Sequence, residues 1–150
     1  MIVSLVLNIY GIEGINVSVI IRKATHNDIE LVTNAASTLL TELSGKSIHA
    51  KDLVAICEDL LTNKDLCPVF LALKEEECLG LLTLHEVSSL YAAGSVAIIQ
   101  ELYVQSNMRS QGIGEKLIQA AKEYGFMRNW IRLEVGAPDP EKWSRTVSFL

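Results

Sequence analysis

The residues whose types and spacing carry the most chemistry are Arg109, Gly112 and Gly114, an R-x-x-G-x-G string with Ser110, Gln111 and Ile113 in the gaps. Glycines let the backbone come close to a bulky anion, and the first N–H groups of a helix have no partner within it. Those N–H groups and the helix dipole attract negative charge, so a glycine turn that opens a helix is suited to hold a phosphate. Arg109 adds a fixed positive charge beside it. Two better-known phosphate patterns do not fit. A Walker loop ends in Gly-Lys-Ser/Thr, whereas Gly114 is followed by Glu115. The dinucleotide pattern G-x-G-x-x-G starts directly after its strand and needs a glycine where Leu117 stands.

Such a turn needs a strand to deliver it and a helix to receive it. Val96 to Val104 is β-branched and apolar and reads as that strand. Ile113, Leu117, Ala121 and Tyr124 then recur at helical spacing, with Glu115, Lys116, Gln119 and Lys122 pointing elsewhere. Alternation turns Tyr103 to the sheet face opposite Leu102 and Val104, where it either packs under a helix or lines a pocket.

The remaining elements follow from the same rules. Residues 2–9 and 15–23 read as strands joined through Gly11 and Gly14. Thr25 or Asn27 can cap a first helix with Asp28 in its opening turn; Val32, Ala35, Ala36, Leu39, Leu40 and Leu43 face inward and Gly45 stops it. Ser47 to Asn63 holds a second helix with Leu53, Ile56, Cys57, Leu60 and Leu61 on its inner side. Val69 to Lys74 and Cys78 to Glu86 are strands around the charged turn Glu75-Glu76-Glu77, and Gly80 implies a bulge or a close backbone approach. Ser88 to Gly94 is a loop, Ile131 to Val135 a short strand, and a last helix runs from Asp139 or Pro140 through Trp143, Val147 and Leu150. The order β, β, α, α, β, β, β, α, β, α implies an α/β fold: a mixed, mostly antiparallel sheet with helices on both faces. One domain over residues 1–150 is expected, with 1–18 as an extra N-terminal strand.

Composition narrows the function classes. A net charge of −5 without a Lys/Arg cluster gives no footprint for nucleic acid. Ile2 to Ile9 is too short to span a membrane and lacks a basic flank, so no membrane association is expected. Three cysteines, Cys57, Cys67 and Cys78, have no metal-ligand spacing and fit a reduced, cytoplasmic protein with no metal.

The R-x-x-G-x-G string directly after Leu102-Tyr103-Val104 resembles the pyrophosphate motif of the GNAT superfamily, the acetyl-CoA-dependent N-acetyltransferases. Ile21-Arg22-Lys23-Ala24-Thr25, followed by Asp28 and Ile29, is similar to the opening strand and first helix of that family, and the likeness spans roughly residues 19–150. The resemblance implies a GNAT-like acyl-CoA N-acyltransferase fold and acetyl-CoA as cosubstrate. It implies that backbone groups of Leu102, Tyr103 and Val104 pair with the pantetheine arm and the acetyl oxygen. It places the pyrophosphate on the N–H groups of Ser110, Gln111, Gly112, Ile113, Gly114 and Glu115, with Arg109 nearby. Glu101, beside the splay expected in this strand, is the candidate general base, since burial tunes a carboxylate toward that work. His85 on the neighbouring strand and a water chain are the alternatives.

The C-terminal stretch departs from the family pattern. Trp143 to Leu150 resembles W-x-R-T-x-x-F-Y, with Leu150 where the family has the tyrosine that protonates the leaving thiolate. A fold truncated after this helix lacks the family's last two strands and leaves Ile131–Val135 on an open edge, to be covered by a second copy or a swapped segment in a homodimer. The expected function is acetyl transfer from acetyl-CoA to a primary amine, of a small molecule or peptide, by direct attack. The rival functions are a non-catalytic acyl-CoA-binding or regulatory domain and a structural oligomerisation domain.

Overall fold

The computed structural model describes residues 19–135. The strand expected over residues 2–9, the start of the next one, and the C-terminal helix lie outside the described residues. Five strands form one sheet in chain order: β1 (Ile20–Lys23), β2 (Val69–Lys74), β3 (Glu77–Ser89), β4 (Gly94–Val104) and β5 (Arg132–Val135). The first four are antiparallel to their neighbours, and β5 runs parallel to β4. Parallel pairing needs a crossover, supplied here by α3 (Ile113–Arg128).

Alternation along the strands divides the core in two. Leu71, Leu81 and Tyr103 face α1 (Ile29–Ser44) and α2 (Val54–Thr62), where Val32, Ala35, Leu39, Cys57 and Leu61 meet them. Ala72, Leu82, Leu84 and Ile99 face α3 and meet Ile113, Leu117 and Ala121. The sheet is therefore mixed, mostly antiparallel and covered by helices on both faces, as the element order implied.

The start of α1 has a specific fastening. Thr25 caps a short turn over His26–Asp28, and the Asp28 carboxylate accepts the Thr25 N–H at 2.8 Å. Arg22 on β1 then grips the same carboxylate with two bonds of 2.8 Å. This gives the I-R-K-A-T-x-x-D phrase a physical role: it locks β1 to the helix that follows. Arg22 and Thr25 together hold the Asp28 carboxyl down at about 2. At its other end α1 stops at Gly45, which takes φ +70° and donates to the Thr41 carbonyl.

The second helix is shorter than its periodicity suggested. Ala50–Leu53 form a 3-10 turn and regular helix begins only at Val54. Ser37 and Thr41 of α1 bind the carbonyl and N–H of Ile48, so this segment is tethered by side chains rather than coiled. Ile56 is 54% exposed, not inward, because it lies 100° around the helix from Cys57 and outside the Cys57–Leu61 stripe. The β3–β4 hairpin runs further than expected: pairing continues to Ser89 and Gly94, leaving only Leu90–Ala93 as the loop.

Candidate active site

Two irregularities in the sheet shape the site. At Gly80 both sequence expectations hold at once. Ala72 pairs with Gly80 and Leu73 with Cys78, so Leu79 is an inserted residue. A side chain at Gly80 would also meet the Tyr103 carbonyl oxygen at 2.9 Å and Leu117 at 3.1 Å. The glycine thus allows β4 and α3 to close over β3.

The second irregularity has no glycine to announce it. Thr83 pairs with Glu101 but Leu84 pairs with Ile99, so Gln100 is the inserted residue. Ile99 and Leu102 both contribute to the α3 side of the core. The bulge therefore turns Gln100 and Glu101 together toward the opposite face. Gln100 is exposed and Glu101 half-buried. The Thr83 hydroxyl donates to Glu101 Oε2 and accepts the Glu101 N–H at 3.1 Å. Sequence reasoning singled out Glu101 but not Thr83. His85 follows two residues later on the same face and is exposed.

Beyond the bulge the register decides which main-chain groups of β4 are turned away from β3. Gln105 N donates to the Leu79 carbonyl at 2.8 Å, and Tyr103 stands opposite Leu81. In an antiparallel ladder alternate residues bond to the same neighbour, so Tyr103 and Gln105 face β3 while Leu102 and Val104 face the other side. On that side β5 pairs with β4 only over Val96–Ile99 among the described residues. Tyr103 itself is packed under α1, and burial pushes its hydroxyl up.

The glycine turn follows at once. Ser106–Met108 form a short 3-10 turn, Ser110 takes φ +64°, and Gly112 takes φ +82° as the residue before α3. A Cβ on Gly112 would touch nothing within 4 Å, so its backbone conformation, not space, calls for glycine. No side chain caps α3, and Arg109 to Gln111, just before its start, are exposed. Gly114 is buried in the first turn of the helix. Arg109 Nε donates to the Val104 carbonyl at 2.9 Å, and its Nη2 pairs with Glu42 of α1 at 2.7 Å. Its charge therefore bridges the end of β4 to α1, a partnership between residues far apart in the chain that no local pattern announces.

The cysteines do not join this site. Cys57, Cys67 and Cys78 are all free, and burial pushes each thiol up, away from the thiolate a nucleophile requires. Among the described residues no helix is long and apolar enough to cross a membrane.

The same fold is found in solved structures. A possible acetyltransferase from Clostridium difficile superposes with a TM-score of 0.74 at 18% identity, covering 87% of this chain and 86% of that one. An integron cassette protein from the mobile metagenome of Cole Harbour Salt Marsh gives 0.73 at 21% identity, covering 83% and 80%. An aminoglycoside acetyltransferase from an uncultured soil metagenomic sample, in complex with sisomicin, gives 0.68 at 25% identity, covering 87% and 84%. No match was found among curated proteins. The profile of the acetyltransferase (GNAT) family matches residues 34–142, which include the bulge, the end of β4 and the glycine turn, and the chain belongs to that family.

Proposed function

We propose that the chain is an N-acetyltransferase that moves the acetyl group of acetyl-CoA to a primary amine by direct attack. Family membership makes acetyl transfer the general activity. The observation that carries the finer reading is the end of β4: the register turns main-chain groups of Leu102 and Val104 away from β3, immediately before the exposed glycine turn. These groups suit a pantetheine arm. The exposed turn and uncapped start of α3 suit the pyrophosphate, on the N–H groups from Ser110 to Glu115. The residues present therefore fit the cosubstrate.

Acetyl-CoA would supply a thioester acetyl with a thiol as its leaving group. Glu101, directly or through a water, takes a proton from the amine. The amine nitrogen bonds to the acetyl carbon, the carbon–sulfur bond breaks, and the thiolate leaves and takes a proton from solvent. Backbone N–H groups at Leu102 or Val104 stabilise the charge that develops on the acetyl oxygen. Because most of this work falls to main chain, few side chains stand out as reactive. The acceptor is a small-molecule or peptide amine. We extend the proposal to a cytoplasmic homodimer in which a second copy pairs with the β5 side of the sheet. Light scattering that returned a monomer mass would count against that extension.

The direct test follows free thiol from acetyl-CoA in the presence of an aminoglycoside, a polyamine and an alanyl peptide. Amine-dependent thiol release is expected, with Glu101→Gln slowing it on the order of 10² to 10⁴-fold. Saturable CoA binding with no thiol release for any acceptor would favour the non-catalytic acyl-CoA-binding domain instead.

A further inference from the structure

We propose that Thr83 is a positioning residue for acetyl transfer, its buried hydroxyl fixing the Glu101 carboxylate across the β3–β4 bulge. The proposal rests on the reading of Glu101 as the group that takes the amine's proton. Thr83 is 5% exposed and sits in the middle of β3, one alternation from fully buried Leu81. A hydroxyl in such surroundings is retained only with partners. Both of its partners belong to one residue: it accepts the Glu101 N–H and donates to Glu101 Oε2.

The bulge explains the need. The insertion of Gln100 shifts the register at this point, and the Glu101 N–H donates to the Thr83 hydroxyl. The same oxygen then reaches the carboxylate, so one side chain ties down both the main chain and the far end of a glutamate that otherwise has three free torsions. The bond uses Oε2, and Oε1 makes no hydrogen bond to another described residue. One carboxylate oxygen is held and the other is available for the amine. Valine has nearly the shape of threonine and would fill the same space without either bond.

The test compares Thr83→Val, Thr83→Ser, Glu101→Gln and the Thr83→Val/Glu101→Gln double variant, with acetyl-CoA and the fastest amine of the panel above. Thr83→Val is expected to lower kcat on the order of tenfold to hundredfold, the cost of a misplaced reacting group, with little change in KM for acetyl-CoA. Thr83→Ser should restore most of kcat, and Thr83→Val should have no further effect in the Glu101→Gln background. Wild-type kcat in Thr83→Val, when Glu101→Gln is impaired, would overturn the proposal while sparing the role of Glu101. Full activity of Glu101→Gln would remove both. A measurement on the protein without acceptor completes the test: the Glu101 carboxyl ¹³C resonance should move in Thr83→Val and stay in Thr83→Ser. An unmoved resonance in Thr83→Val would equally overturn the positioning role.

Discussion

Replacing Gly80 by alanine asks whether the sheet and the phosphate turn are built as one unit. The new Cβ would lie 2.9 Å from the Tyr103 carbonyl oxygen, 3.1 Å from Leu117 Cδ1 and 3.3 Å from Ile113 Cγ2. The two side-chain tips can give way by a few tenths of an ångström. The carbonyl cannot, because Tyr103 is held in the ladder opposite Leu81. Either β4 or the start of α3 must move. Overpacking a filled site costs about 1–3 kcal/mol, and the stiffer unfolded chain of the alanine variant offsets about 0.4–1 kcal/mol of that. A net loss of about 1–2 kcal/mol remains. At roughly 2–4 °C per kcal/mol for a domain of this size, the melting temperature should fall by about 2–8 °C. Ile113 is the first residue of α3, so displacing it also misplaces the N–H groups of the turn, and CoA affinity should drop by roughly tenfold. Scanning calorimetry and CoA titration measure the two effects. A melting temperature within about 1 °C of wild type would refute the packing argument. A lowered melting temperature with unchanged CoA affinity would refute the coupling to the turn.

Other expectations follow from single contacts. Asp28→Asn should cost about 2 kcal/mol at neutral pH, since Arg22 holds the carboxyl at about 2 against an ordinary 3.8 and each unit is worth about 1.4 kcal/mol. A depressed carboxyl stabilises above its unfolded value and loses that contribution as pH falls through its folded value. The gap in denaturant midpoint between wild type and Asp28→Asn should therefore close between about pH 4 and about 2; a constant gap would contradict it. Gly125→Ala would drive a Cβ into the Trp130 ring, whose indole N–H is held by Glu86 at 2.6 Å, and should cost about 1–3 kcal/mol by chemical denaturation. Gly112→Ala meets no atom within 4 Å and should lose about 1–2 kcal/mol through its φ of +82° alone, with Gly112→Asn losing less. Equal stability of all three proteins would show that the turn does not depend on this conformation.

The parts of the fold that could be read from sequence are those governed by local periodicity and by glycine. Ile113, Leu117, Ala121 and Tyr124 are buried as their spacing required, β2 spans Val69–Lys74, and Gly45 ends α1. Gly80 announced its bulge because a missing side chain is visible in a sequence. The bulge at Gln100 was not legible: neither Gln100 nor Glu101 is an unusual residue for a strand, and the insertion exists only as a mismatch with β3. Thr83 was missed for the same reason, since its value lies in a partner 18 residues away. Arg109 was recognised as a cation, but its bond to Glu42 depends on how α1 lies over the sheet. Extension of β3 to Ser89 was hidden by polar serines that pair through backbone, to which composition is blind.

The central claim is that main chain along β4 and at the start of α3 holds the acyl donor. Titrating the isotope-labelled protein with CoA and following its backbone amide resonances tests that claim directly. The largest changes are expected at Leu102, at Val104 and from Ser110 through Glu115, saturating together with one binding constant. Saturable changes confined to other parts of the molecule, or none at all, would contradict it.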